Sequence, residues 1–417
     1  MQTLTEYQLE LKLAVLTCVS IAVFLVYWYV SGRKYARKVF IYGIILAVVL
    51  KIAVCITVYS ISDDPADFCS DVSTFYYPHT LKLLAGETPY KDFDTRYSIL
   101  FLPLLAIPVL IWNSMGSIVL TMILMEALMI FFYLRYQRRV EYDIGLRTAF
   151  FYSLSPISLY WMSIGGYNSV IIAAFIMFAL ILADKRKDVL AGAAAALAFL
   201  FSKFLAFLTW PAIVLFRSEG IFKRTLPMAV SIILTLGLLL FDIDSLNPIK
   251  KEFGQYAGGN IWYLSVILFP ALKNNQIFTV LPVILFLASF IIIFFKYIKR
   301  YKFVINRFDV SAAFISLIFL LFMLCSRKTY NHYSLMIFIF IVHTIIKRNP
   351  KDLLGLLIIT YLGAITFYEV KLSEMFKYAK VITFDMIRIY PLIVMDVLLI
   401  ASYIVLFVKC YRAVKEG

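Results

Sequence analysis

Long apolar runs dominate this sequence and restrict the folds that are open to it. Hydrophobic residues make up 63% of the chain and charged residues only 16%, which excludes an ordinary soluble domain. Several runs approach or exceed the roughly 20 residues that a helix needs to cross about 30 Å of hydrocarbon. They lack the strict alternation of polar and apolar residues that is typical of a membrane β-barrel. We therefore predict an all-α polytopic membrane protein, because a helix pairs its own backbone groups within lipid.

Basic residues cluster in the short connections between these runs and predict the orientation of the chain. The formal net charge is +15, and positive connections lie on the cytoplasmic side of a membrane. Such clusters lie near 33–38, 184–187, 296–307 and 409–415. They predict roughly 11 to 13 crossings within one integral domain, 1–417, with the C-terminus inside. Because orientation and contact with membrane lipids account for the charge, the sequence indicates no nucleic-acid partner.

An acidic segment, residues 59–116, follows the second apolar run and is predicted to be external or lumenal. Its carboxylates are Asp63, Asp64, Asp67, Asp71, Glu87, Asp92 and Asp94. A loop this acidic is not needed to cross a bilayer, so we expect it to carry chemistry or recognition. Within it, the apolar run 97–112 has only about 16 residues and contains two prolines, which favours a membrane-surface or re-entrant helix over a crossing.

Asp71 stands at the start of a helical pattern within this segment. The apolar stripe of that pattern is formed by Val72, Phe75, Tyr76, His79, Leu83 and Leu84. Two interpretations of Asp71 stay open at this point. The carboxylate is either the N-cap of the helix, where a negative charge is favoured, or a reactive group at the membrane surface.

The motifs of the acidic segment resemble those of a known superfamily. The sequence contains Ser70-Asp71-Val72-Ser73-x-Phe75-Tyr76, then Leu83-Leu84-x-Gly86-x-x-Pro89-Tyr90, then Arg96-Tyr97 before an apolar run. This order resembles the first external loop of GT-C superfamily glycosyltransferases. It is most similar to the polyprenyl-phosphate-mannose-dependent mannosyltransferases of the glycosylphosphatidylinositol and phosphatidylinositol-mannoside pathways. The resemblance implies a GT-C-like helical bundle whose first external loop holds the catalytic carboxylate and membrane-surface helices.

The resemblance also implies a reaction: inverting transfer of a sugar, mannose or another hexose, from a polyprenyl-phosphate donor to a lipid or glycan acceptor. Such a transfer needs a base for the acceptor hydroxyl and positive charge for the departing phosphate. The expected catalytic residues are Asp71 and, second, Asp67. The expected donor-phosphate ligands are Lys203, Arg327, Lys328, His332 and Arg96. The expected substrate-binding residues are Tyr76, Tyr90, Asn168, Gln255 and Asn260. The sequence indicates no cofactor and leaves a divalent metal ion as an open alternative.

A transporter or flippase of a lipid-linked or anionic solute is the alternative function. It predicts charges within the membrane, internal repeats and interrupted helices around a midplane site. Lys51 and Lys203 are the only evident charges within apolar runs, and no clear repeat is visible. The sequence therefore favours the glycosyltransferase.

Overall fold

A computed structural model describes residues 2–31, 33–61, 63, 70–240, 260–301, 307–348 and 385–416. The first eight α-helices, α1 to α8, are Gln2–Val30, Ala36–Ile61, Tyr77–Leu84, Phe101–Ile111, Met115–Val140, Tyr142–Leu154, Pro156–Tyr160 and Ser169–Asp184. The next eight, α9 to α16, are Asp188–Leu200, Trp210–Val214, Ile221–Leu240, Ile261–Leu268, Gln276–Tyr301, Phe308–Cys325, Phe338–Arg348 and Asp385–Glu416. No β-strand occurs in these ranges, which confirms the predicted all-α class.

Five helices are long and apolar enough to cross a membrane, or six if one bent pair counts as a span. They are α2, α5, α13, α14 and the part Val397–Glu416 of α16. The chain is therefore a polytopic membrane protein, as predicted. The sequence predicts roughly 11 to 13 crossings, more than these five or six helices, and this number stays a prediction. One of the apolar runs behind it, 353–368, lies outside the described residues, and others form shorter apolar helices.

Helix α4 occupies the apolar run for which the sequence predicted no crossing. It contains 11 residues, which at 1.5 Å per residue extend about 16 Å, half the thickness of the hydrocarbon layer. Ile107, Leu110 and Ile111 are exposed on this helix. The length and the exposed apolar side chains agree with a helix that lies at a membrane surface.

The apolar run 147–163, for which the sequence predicts one outward span, does not form one continuous helix, because the chain breaks within it. Helix α6 ends at Leu154, Ser155 turns into an extended conformation, and Pro156 begins the short helix α7. A π-helical turn, Trp161–Gly165, follows, and Gly166 then takes a left-handed φ of 53°. The segment Pro156–Gly165 meets α8 at an angle of 118°. A Cβ at Gly166 would also contact Val119 at 2.8 Å, so the turn requires glycine for two reasons.

An ion pair lies inside the bundle, between two helices that are long enough to cross a membrane. Lys51 Nζ of α2 is 2.6 Å from Glu126 Oε2 of α5, and both side chains are fully buried. Ser158 of α7 accepts a hydrogen bond from Lys51 and donates one to Glu126, at 2.6 and 2.7 Å. Glu126 also lies within an apolar run, but the sequence analysis recognised only Lys51 and Lys203 as charges in such runs. The network ties α2 and α5 to the broken helix that leads to Gly166.

The close approach of α9 and α11 leads to a stability prediction. A Cβ at Gly192 of α9 would overlap the backbone carbonyl of Arg224 on α11, which cannot rotate away. We therefore expect Gly192→Ala to lower the free energy of unfolding by about 1–3 kcal/mol. Gly237→Ala in α11 is the matched control, because a Cβ there meets no atom within 4 Å and removes glycine's backbone entropy cost. Thermal unfolding of both variants in detergent measures the difference, and equal unfolding temperatures would contradict the packing shown.

Candidate functional site

Asp71 does not cap the helix that follows it. It immediately precedes a π-helical turn, Val72–Tyr76, and its side chain makes no capping hydrogen bond. The capping is done by two serines instead, since Ser73 N–H donates to Ser70 Oγ at 3.3 Å and Ser70 N–H donates to Ser73 Oγ at 3.2 Å. Asp71 therefore stands at the N-cap position, as predicted, but its carboxylate does not cap the helix and is directed to other partners.

Those partners are two phenols and an ammonium group. Tyr76 OH and Tyr97 OH each donate to Asp71 Oδ2 at 3.3 Å, and Lys203 Nζ lies 3.9 Å from the same oxygen. Burial raises the pKa of both phenols well above the usual value, and the negative charge of Asp71 adds to the effect. The phenols are therefore protonated donors at any physiological pH. No residue in the described part of the chain bonds to Oδ1 of Asp71, so this oxygen can still accept a proton.

Two backbone features fix the groups around Asp71. Tyr90 has a left-handed φ of 71°, which is costly for a bulky residue, and its hydroxyl donates to the carbonyl of Tyr97. The segment after Tyr97 pairs with the end of α9, because Ser98 N–H donates to the Ser202 carbonyl at 3.2 Å. A second bond, from Leu100 N–H to the Leu200 carbonyl at 3.1 Å, completes this pairing. Tyr97 and Lys203 are thereby brought together from distant parts of the sequence.

Lys203 lies at the break between two apolar runs, 190–202 and 204–216, for which the sequence predicts a short helical hairpin or one broken helix. The backbone is extended at Lys203, between α9 and the 3₁₀ turn Phe204–Thr209. Its ammonium group lies over the ring of Tyr333 at 4.6 Å and near the ring of Tyr97 at 5.7 Å. Aromatic faces stabilise a cation that is shielded from water. The side chain is only 12% exposed.

A cavity of about 570 Å³ opens beside Asp71, and two chemically different sets of residues line it, which we call its charged part and its apolar part. The charged part is formed by Asp71, Arg96, Lys203, Arg327 and Lys328. The apolar part is formed by Phe204, Leu205, Phe207, Leu208, Pro282, Val283, Phe286, Leu287 and Phe322. The sequence predicted all five residues of the charged part as site residues, and the structure brings all five to the lining of one cavity. The apolar part comes from the 3₁₀ turn, α13 and α14.

Other predicted site residues lie behind the wall of this cavity rather than on it. Tyr76, Tyr90, Asn168 and His332 do not line the cavity. Asn260 also does not line it, but it supports the wall, because its amide donates to Thr329 Oγ1 at 2.9 Å and to the Arg327 carbonyl at 3.4 Å. Two predicted residues, Asp67 and Gln255, lie outside the described residues.

Sequence reasoning did not select Tyr97, Tyr330 or Tyr333 as site residues, although all three line the cavity. Their positions next to Arg96 and His332 could have indicated them. The many aromatic residues of a membrane protein hide such signals, since most of them anchor the chain at the interfaces. No group of three or more His, Cys, Asp or Glu side chains within the described ranges could hold a metal ion.

His79, on α3, leads to a pH prediction. Its ring packs against Phe75 at 5.8 Å and Phe93 at 5.0 Å, and burial, together with the charge of Lys82, lowers its pKa to about 4. The unfolded chain therefore binds a proton below about pH 6.5 that the folded chain does not bind until about pH 4. Stability should fall as the pH drops through this window, by at most about 1.4 kcal/mol per pH unit and by less where solvent screens the ring.

The measurement is the unfolding temperature of the wild type and His79→Phe between pH 4 and pH 7. The variant should lose less stability on acidification, because phenylalanine keeps the ring packing and has no proton to bind. An equal loss in both proteins would contradict the lowered pKa.

Comparisons with known proteins do not assign a family. No protein-family model matches this sequence, and no curated protein matches it significantly.

Proposed function

We propose that the chain is an inverting glycosyltransferase that moves a hexose, mannose in the first instance, from a polyprenyl-phosphate donor to a lipid or glycan acceptor at the non-cytoplasmic face. The observation that carries this proposal is one cavity that is lined by a carboxylate, four basic side chains and a larger set of apolar side chains. The resemblance of residues 70–97 to the first external loop of GT-C enzymes points to the same reaction.

The two parts of the cavity match an amphipathic ligand. Four basic side chains suit a phosphate, since arginine and lysine form the strongest hydrogen bonds with charged oxygens. The apolar part is lined from α13 and α14, which are both long and apolar enough to cross a membrane. A hydrocarbon chain that leaves the phosphate in that direction would remain in contact with apolar side chains and lipid. A water-soluble sugar nucleotide would leave this wall unused.

The reaction follows from the position of Asp71. Oδ1 accepts the proton of the acceptor hydroxyl while that oxygen attacks the anomeric carbon of the sugar. A new glycosidic bond forms, the bond from the anomeric carbon to the phosphate oxygen breaks, and its electron pair leaves with the polyprenyl phosphate. Arg96, Arg327 and Lys328 stabilise the charge that develops on this leaving group. The proton held by Asp71 is then released to water, which restores the carboxylate.

Tyr76 and Tyr97 hold the carboxylate in place for this step. Both hydroxyls donate to Oδ2, so Oδ1 keeps its lone pairs for the incoming proton. Lys203 lies 3.9 Å from Oδ2 and lines the same cavity, so it is close enough to interact with both the base and the donor phosphate. A base oriented by fixed donors needs little reorganisation in the transition state.

Two features are typical of transporters and favour that alternative: a charged pair within the membrane bundle, Lys51–Glu126, and an interrupted helix, at Gly166. Neither Lys51 nor Glu126 lines the cavity, however, and each neutralises the other. We therefore assign this pair a structural role and keep glycosyl transfer as the proposal.

The test uses the full chain purified into lipid nanodiscs. It is supplied with polyprenyl phosphate carrying radiolabelled mannose, together with a total lipid extract as the source of acceptors. The proposal expects label to move from the donor to a new glycolipid. In proteoliposomes, movement of the intact labelled donor across the bilayer without a new glycosidic bond would overturn it in favour of the transporter.

A further inference from the structure

Two buried asparagines occupy the N-cap position of a helix, yet only one of them has a side chain that forms the capping hydrogen bond. Asn260 is the N-cap of α12, and its side chain accepts a hydrogen bond from Tyr263 N–H at 2.9 Å. Asn168 is the N-cap of α8 and makes no such bond. Neither its amide oxygen nor its amide nitrogen has a hydrogen-bond partner among the described residues, although the residue is fully buried. Capping therefore does not explain the presence of asparagine at position 168.

His332 shows the same property, and its ring packs on Tyr167, the residue that precedes Asn168. It is 2% exposed, and within the described part of the chain neither ring nitrogen has a hydrogen-bond partner. Its ring is stacked on Tyr167 at 3.8 Å and on Tyr330 at 5.4 Å. Burial and the positive charge of Lys203 lower the pKa of His332 well below the usual value, so the imidazole is neutral. It then offers one donor and one acceptor.

Leaving these groups unpaired is costly. A buried polar group without a partner loses its hydration and gains nothing in return, which is why most such groups in folded proteins are bonded. Asn168 stands at the start of α8, and His332 lies in the 3₁₀ turn Asn331–Met336, which packs against α8. Asn168 N–H donates to Tyr76 OH at 3.4 Å, and Tyr76 in turn donates to Asp71. Tyr330 and Tyr333, which contact His332, form part of the cavity wall.

We propose that Asn168 and His332 form a closed subsite that binds hydroxyl groups of the transferred sugar once the turn bearing Tyr330 and Tyr333 has moved. The ligand class follows from the chemistry of the two side chains. An amide and a neutral imidazole each combine a donor with an acceptor, and a hydroxyl group does both as well. A phosphate would leave the acceptor atoms unused. The identification of the ligand as a sugar rests on the proposed function.

A stability comparison tests whether the amide of Asn168 is unpaired. Leucine has nearly the shape of asparagine and no polar atoms. Asn168→Leu should therefore raise the Tm of the ligand-free protein by about 1 to 3 °C, because it removes an unpaired buried group. Asn260→Leu should lower the Tm, because it breaks the cap of α12 and strands Tyr263 N–H. A drop in Tm for Asn168→Leu comparable to that for Asn260→Leu would overturn the inference.

A binding comparison tests sugar recognition without requiring turnover. The full chain is titrated with mannosyl polyprenyl phosphate and with polyprenyl phosphate that carries no sugar. The wild type should bind the mannosylated lipid more tightly than the lipid without sugar. In Asn168→Leu and in His332→Phe, the ratio of these two affinities should fall about 10-fold. Ser311→Ala should keep this preference, because it removes an unpaired buried polar group too, a hydroxyl, but lies in α14 and does not line the cavity.

The two proposals can fail separately. Equal affinities of the wild type for both lipids, or an unchanged preference in Asn168→Leu and His332→Phe, would overturn the subsite. The other combination is that the wild type prefers the mannosylated lipid, both variants lose this preference, and the wild type transfers no sugar. That result would support the subsite and overturn the proposed glycosyl transfer.

Discussion

Asp71→Asn should reduce sugar transfer by about 10²- to 10⁴-fold, because it removes the only proton acceptor that the proposed reaction uses. Asparagine has nearly the same shape as aspartate, and its amide oxygen can still accept the hydrogen bonds from Tyr76 and Tyr97. The binding of the donor lipid should therefore change little while the turnover number falls. The measurement is initial-rate kinetics with radiolabelled donor, run with the variant and the wild type in the same nanodiscs.

The matched control for this variant is Asp63→Asn, which alters a carboxylate of the same acidic segment. Asp63 Oδ1 accepts hydrogen bonds from Ser114 Oγ and Met115 N–H, both at 3.0 Å, at the start of α5. It does not line the cavity, so its variant should keep nearly full turnover. Wild-type turnover in Asp71→Asn would remove the base from the mechanism. Equal losses in both variants would indicate that the loop tolerates no neutral side chain, whatever its position.

Much of the charged part of the site could be predicted from the sequence. The acidic segment between apolar runs drew attention to seven carboxylates, and the resemblance of residues 70–97 to a GT-C external loop singled out Asp71 among them. A lysine at a break between two apolar runs is costly unless it has a partner or water, and this singled out Lys203. The inference about Lys203 uses the cost of a charge near lipid, which depends on the local sequence alone, whereas the choice of Asp71 depends on the motifs around it. The structure brings the two side chains within 3.9 Å.

Contacts between distant segments could not be predicted in this way. Nothing in the local sequence indicates that Tyr97 and Tyr76 share one oxygen of Asp71, since this depends on how the segment after Tyr97 pairs with the end of α9. The break at Ser155 was missed because the apolar run continues through it. His332 was predicted as a phosphate ligand from its turn, whereas its ring stacks behind the tyrosines that form the wall. Side-chain direction was the missing information.

Glu126→Gln should be among the most destabilising single substitutions in this protein, with a loss of about 3–5 kcal/mol. Lys51 and Glu126 are both fully buried, on helices that are long enough to cross a membrane. Removing the carboxylate charge leaves the ammonium group of Lys51 without its counter-charge, where neither water nor lipid can replace it. Chemical or thermal unfolding in detergent, measured against the wild type, gives the loss.

The reason for this loss is an uncompensated charge rather than the attraction that the pair supplies. The combined variant Lys51→Met, Glu126→Leu and Ser158→Ala removes the whole network, and replacing a buried ion pair by apolar residues is often neutral or stabilising. It should therefore recover most of the stability that Glu126→Gln loses. Asp143→Asn, which breaks the exposed pair with Arg37, should produce no measurable change, because solvent screens both partners. If the combined variant is as unstable as Glu126→Gln, then the pair itself supplies stability, and its hydrogen bonds to Ser158 must outweigh the cost of burying two charges.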